Sequence, residues 1–155
     1  MNQQVANFGC LFDEYETEYM TDITCTVECK NYGFIKDGKV EGFFFSERYI
    51  YLPYQDEPEK FYLAGIQDGE YKDWFLFKLK NGCTTIQLIG ESHPDILLER
   101  EGENIVFFGM CKDGKPNGLG FTVTYNTDIT KTLDLGYYIH GVRTHSFKDG
   151  ELIPV

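Results

Sequence analysis

Histidine is scarce in this chain of 155 residues: His93, His140 and His145 are the whole inventory. On a strand His140 and His145, an odd number of positions apart, point to opposite faces, so they do not converge on a metal. The cysteines are Cys10, Cys25, Cys29, Cys83 and Cys111, an odd and unevenly spaced set. That suits reduced, buried thiols in a cytoplasmic setting better than a disulfide framework. Cys25 and Cys29 share a strand face but lack the two-residue spacing of a zinc knuckle, and no second Cys or His pair follows at a suitable distance. Neither a metal nor a cofactor is expected.

Long apolar runs are missing as well. No stretch approaches the ~18 consecutive apolar residues of a membrane-spanning helix, and Met1-Asn2-Gln3-Gln4-Val5 has neither a basic start nor an apolar run. A membrane span and an export signal are therefore not expected. Positive charge is in deficit: 14 Lys and Arg stand against 25 Asp and Glu, a formal net charge of −11. Such a field repels phosphate backbones and anionic lipid headgroups, which disfavours nucleic acid and membrane as partners and favours a basic protein surface. The imbalance is one-sided, because residues 1–75 hold 15 acids and 6 bases whereas residues 76–155 hold 10 and 8.

Signatures of chemistry are absent too. Ser46, Ser92 and Ser146 occur in no nucleophile-elbow context, and Ser146 and His145, adjacent on a strand, face opposite ways. Gly114 to Gly120 lies between strand-like segments with too few bases to cradle a phosphate. Asp56, Glu57 and Glu59, beside Pro53 and Pro58, read as a solvated loop. No catalytic residue is assigned.

What the chain has in plenty is aromatic and β-branched sequence cut by glycine turns. Phe, Tyr and Trp make up 16% of the residues and hydrophobic residues 42%, too apolar for an unfolded chain and suited to strands. The length fits one domain, residues 1–155. Leu11, Tyr15 and Tyr19 recur at helical spacing, with Asp13, Glu14, Glu16 and Glu18 on the other faces, which predicts a short acidic helix from Leu11 to Met20. From Thr21 the period changes: Ile23, Cys25, Val27 and Cys29 alternate with Thr24, Thr26, Glu28 and Lys30, the mark of a half-buried strand. Beyond it, Asp37-Gly38, Asp68-Gly69, Asn81-Gly82, Asp113-Gly114, His140-Gly141 and Asp149-Gly150 punctuate apolar runs. Each pair tolerates the positive φ of a tight hairpin turn, so antiparallel pairing is expected.

The turns recur in register. Gly33 is followed by Asp37-Gly38, Gly42 and Phe44; Gly109 by Asp113-Gly114, Gly118 and Gly120; Gly136 by His140-Gly141, His145 and Phe147. A degenerate copy starts at Ala64, with Asp68-Gly69, Asp73 and Phe75. This defines repeat-like units near residues 33–47, 64–78, 109–123 and 136–150, each a strand, a two-residue turn and a returning strand. The run Gly109-Met-Cys-Lys-Asp-Gly-Lys-Pro-Asn-Gly-Leu-Gly-Phe121 resembles a MORN repeat, and Tyr32-Gly33-Phe34-Ile35 through Leu52-Pro53-Tyr54 to Asp68-Gly69 is similar to a WG repeat. Either resemblance implies an all-β fold of antiparallel β-hairpin repeats in an elongated or curled sheet, serving as a protein-interaction surface rather than an active site.

Aromatics crowd the centre of the chain beyond what one sheet face can bury. Tyr49, Tyr51 and Trp74 are the anchor candidates, since Tyr and Trp bury area with few rotatable bonds and keep a polar tip. Together with Asp13, Glu14, Glu16 and Glu18 they define an expected partner-binding face, acidic and aromatic, for a basic protein. The function expected is a non-catalytic interaction module, in its specific form an inhibitor, immunity protein or antitoxin-like neutraliser. The competing reading is a small enzyme of unrecognised type using scattered carboxylates.

Overall fold

The computed structural model describes residues 7–18, 21–68, 71–80, 83–87, 94–101, 104–125 and 131–155, with residues 68, 71–80, 83–87, 100, 104–105, 125 and 131–133 described by their backbone alone. The fold is all-β, and among the described residues no helix is long and apolar enough to cross a membrane. Among the described residues twelve strands form two antiparallel meanders of six. The first contains β1 (Phe8–Glu18), β2 (Thr24–Lys36), β3 (Lys39–Tyr51), β4 (Glu59–Asp68), β5 (Tyr71–Lys80) and β6 (Cys83–Gln87) in chain order. The second contains β7 (Ile96–Glu101), β8 (Asn104–Lys112), β9 (Lys115–Tyr125), β10 (Lys131–Ile139), β11 (Val142–Lys148) and β12 (Glu151–Pro154). By contacts the chain divides into two compact units, Gly9–Gly90 and Glu91–Val155 with Met1–Phe8.

The turn chemistry sets the hairpins. Asp37-Gly38, Asp113-Gly114, His140-Gly141 and Asp149-Gly150 all hold φ between 50° and 85°. Positive φ at both residues is the twist that flanking strands need in a two-residue connection. The flanking pairs Lys36↔Lys39, Lys112↔Lys115, Ile139↔Val142 and Lys148↔Glu151 close those hairpins. Gly69 and the Asn81-Gly82 pair lie outside the described residues.

The expected acidic helix is corrected: Leu11 to Glu18 belong to strand β1, and Tyr19 and Met20 lie outside the described residues. A ten-residue helix is marginal by itself in water. The same backbone groups are satisfied beside β2, and Tyr and Thr suit a pleated surface better than a helix.

In the first unit the alternation read from Ile23 onward becomes a buried row. Cys25, Val27, Cys29 and Leu52 cluster with Ile23 and Ile50 packed against them. Further along β3, Phe43, Phe44 and Phe45 are buried in succession, so both faces of that strand are covered there. In the second unit Phe107, Phe108, Leu119, Phe121, Val123, Leu135, Tyr137 and Tyr138 form the core, with Phe107 edge-on to Tyr138 at 5.0 Å and Phe108 tilted on Phe121 at 5.3 Å. Gly109, Gly120 and Gly136 stand in one cross-strand row on β8, β9 and β10.

Cys10, Cys25, Cys29 and Cys111 form no disulfide, and Cys25 and Cys29 are each 2% exposed. Native-state titration with an aromatic disulfide should leave Cys25 and Cys29 unreacted, and denaturation should release five titratable thiols per chain. Fewer than five in fresh, unreduced protein would reveal a disulfide and overturn the reading of reduced cysteines.

Candidate functional site

The lower part of the first sheet carries a checkerboard of acids, aromatics and bases. Register places Glu28 opposite Tyr49 and Tyr49 opposite Lys60, with Lys30 opposite Glu47 and Glu47 opposite Tyr62 in the next row. Side chains directly opposite on one face lie close enough to interact. Tyr51 donates its hydroxyl hydrogen to Glu28 Oε2 at 2.9 Å, and Tyr49 donates to Glu47 Oε2 at 3.1 Å. Lys30 Nζ lies 5.7 Å from the centre of the Tyr49 ring. Lys60 Nζ lies 5.4 Å from Tyr49 and 5.1 Å from Tyr62. Tyr62 in turn stacks on Phe45 at 5.4 Å. The tyrosine rings are thus held from several sides, and a ring already fixed loses less entropy when a partner covers it.

Strand β1 divides the acidic residues between two faces. Tyr15 accepts a bond from Arg48 Nη1 at 3.4 Å, while Glu14 lies near enough to Tyr51 to raise its hydroxyl pKa. Even and odd positions of β1 therefore serve opposite faces. Glu14, Glu16 and Glu18 alternate on the side of Tyr49 and Tyr51, and Asp13 belongs with Tyr15 on the other. All four acids are exposed. Trp74 pairs through its backbone with Gly65 on β4, out of phase with the row of Tyr49 and Lys60, and its side chain lies outside those described. The structure thus brings Glu14 near Tyr51, sets Glu16 and Glu18 in the same strand phase as Glu14, and separates Asp13.

Sequence reasoning missed Lys30, Lys60, Tyr62, Glu28 and Glu47 as members of this face. The signal for two of them was present, since Glu28 and Lys30 occupy the outward phase of the alternation that buries Cys25, Val27 and Cys29. The others depend on cross-strand register.

Two tyrosines show how the face is tuned. The Tyr51 hydroxyl pKa is raised chiefly by its hydrogen bond to Glu28. Burial, followed by the carboxylate of Glu47, pushes the Tyr32 hydroxyl from 10.0 up to about 12. An acid whose folded pKa is raised stabilises the fold fully below its unfolded pKa, and that contribution is lost as pH climbs through the folded value. The stability that Tyr32 contributes is therefore intact below pH ~10 and lost between pH ~10 and ~12. Denaturant midpoints measured at pH 9, 10 and 11 should fall across this window, and Tyr32→Phe should flatten the fall. An unaltered slope in the variant would remove Tyr32 from the account.

In the same unit, Leu11, Phe12 and Asp13 of β1, Asn31 of β2, Gly38, Lys39 and Val40 at the β2–β3 turn, and Gln67 of β4 line an open cleft of about 380 Å³. Asn31 Oδ1 is buried there and has no hydrogen-bond partner among the described residues. A buried acceptor left unpaired costs about 1–3 kcal/mol. In the other unit Arg143 has the same defect at Nε and Nη2, although its guanidinium lies 5.5 Å from the centre of the Tyr138 ring.

Among the described residues no group of three or more His, Cys, Asp or Glu is placed to hold a metal ion. No family model matches the chain, and neither a curated protein nor a solved structure matches it.

Proposed function

We propose that the protein is a non-catalytic interaction module whose acidic and aromatic face binds a basic protein surface. The observation that carries the reading is the gathering of Glu14, Glu28 and Glu47 with Tyr49 and Tyr51 on one face of the first sheet, where Tyr51 is 41% exposed. Carboxylates steer a basic partner during encounter, and prefixed tyrosine rings then supply buried area. In its specific form the module is an inhibitor that covers the basic, nucleic-acid-binding surface of its partner, as an immunity protein or antitoxin does. We read the glycine-turn hairpins as MORN-like units, supported by the shared two-residue turns at Asp37-Gly38, Asp113-Gly114 and His140-Gly141. A cytoplasmic location fits four cysteines outside any disulfide in the described part of the chain.

The test is affinity capture from the native cell followed by binding kinetics with the purified partner. The expected partner is basic, and its association rate falls steeply as salt shortens the screening length from about 30 Å at ~0.01 M to about 8 Å at ~0.15 M. An acidic partner with a salt-insensitive rate overturns the reading. Turnover of a small substrate with no protein partner favours the enzyme.

A further inference from the structure

In a fold of hairpins, the sheet edges are where the backbone still has hydrogen bonds to give. Among the described residues four strands lie at edges, and three of them are short: β6 has five residues, β7 six and β12 four, ending on Pro154. Short strands and proline blunt an edge against pairing with another chain. Strand β1 has eleven residues and contains no lysine, arginine or proline. It has β2 on one side and no strand on the other among the described residues, so every second residue turns its N–H and C=O outward, away from the ladder. From Phe12 to Glu18 every residue is exposed.

The side chains along this edge decide what can pair with it. Glu14, Glu16 and Glu18 recur at every second position and so share one face, and Phe12, 58% exposed, stands in the same phase. A second copy of the chain laid antiparallel about Glu16 would set Glu14 against Glu18 and Glu16 against its own counterpart. Like charges directly opposite destabilise a strand pair, whereas lysine or arginine at alternate positions meets each glutamate with the opposite charge.

We propose that β1 is an augmentation edge: an extended segment of the basic partner joins the first sheet as a seventh strand, antiparallel to β1, with basic residues opposite Glu14, Glu16 and Glu18 and an apolar residue opposite Phe12. The inference rests on the reading of a basic protein partner and adds how that partner is held. Main-chain bonds along the edge supply affinity to any extended segment, and the glutamate row selects a basic one.

The test is an NMR titration of the nitrogen-15-labelled chain, at low salt, with the peptide acetyl-Lys-Thr-Lys-Thr-Lys-Thr-Val-amide. Binding should shift the backbone amides from Phe12 to Glu18. Two further peptides carry N-methyl groups, one on its lysine nitrogens and the other on its threonine nitrogens. Successive residues of an antiparallel strand bond to opposite sides, so only one of these two places its methyl groups against β1. That peptide should bind about tenfold or more weakly, through loss of its main-chain bonds, and the other should bind as the parent does. Equal binding by the two means that charge alone holds the peptide: the edge proposal then fails while the acidic-face reading stands. A parent peptide that does not bind at all sinks both. Concentration-dependent loss of the β1 amide signals before any peptide is added would reveal pairing with a second copy, and that too overturns the proposal.

Discussion

Gly109→Ala should destabilise the protein by about 3 kcal/mol, the upper end for overpacking a well-packed site, and lower its melting temperature by roughly 6–12 °C. A Cβ on Gly109 would fall 2.4 Å from both Gly120 Cα and the carbonyl oxygen of Leu119. Backbone on the paired strand cannot swing away as a side chain can, so relief requires β8 and β9 to part. Gly120→Ala should be nearly as costly, because its Cβ would meet Cε2 and Cζ of Phe107 at 2.4 Å. That ring is 2% exposed and held edge-on by Tyr138, so it has little room to turn. Gly114→Ala is the control. It holds φ of 74° with nothing within 4 Å of the added atom, so its cost should be only the local strain of about 1–2 kcal/mol. A double-mutant cycle identifies the cause: pairing Gly120→Ala with Phe107→Ala should cost less than the sum of the single changes, because the ring that obstructs the new methyl is gone. A Gly109→Ala protein that melts within about 2 °C of wild type, or strictly additive effects at Gly120 and Phe107, would show that the glycine row is not a close strand contact.

That row was visible as a sequence spacing before it was a contact. Gly109 and Gly120 stand eleven positions apart around an Asp-Gly turn, and a two-residue hairpin with an irregularity between Gly109 and Cys111 brings them face to face. Turn positions were legible because few residues tolerate positive φ, so Asp37-Gly38 and Asp113-Gly114 declare themselves locally. The strand through Cys25, Val27 and Cys29 was legible because one face is buried and the other is not. Strand β1 was not. Exposed along most of its length, it carries no burial alternation, and Leu11 and Tyr15 suggest a helical period that only pairing beside β2 overrides. The arrangement of the functional face was half legible. The acidic excess and the tyrosines could be counted, but which acid faces which ring depends on strand phase, and that phase separates Asp13 from Glu14. The cleft could not be read at all, since Asp13, Asn31, Lys39 and Gln67 meet only through cross-strand placement.

Changing Glu14, Glu16 and Glu18 together to lysine should slow association with the basic partner by about 10- to 100-fold at low salt, within the range that electrostatic steering spans. Three reversals of two charges each carry the formal net charge from −11 to −5, and they concentrate the change on one face of β1. All three side chains are exposed, so the fold should be affected by little more than about 0.5 kcal/mol per site, and slower binding cannot be attributed to unfolding. Dissociation should change much less, because steering acts on encounter while the docked complex is held by buried contacts. Tyr51→Ala should do the reverse. Its ring is 41% exposed and its hydroxyl is held by Glu28 at 2.9 Å, so the side chain is available to a partner and already ordered. Truncation should leave association nearly unchanged and speed dissociation by about tenfold or more, the effect of an anchor worth upwards of 1 kcal/mol. The two variants thus test different steps of one mechanism. If the lysine triple variant associates at the wild-type rate in low salt, steering by β1 is wrong; if Tyr51→Ala dissociates as slowly as wild type, the tyrosine face is not what the partner covers.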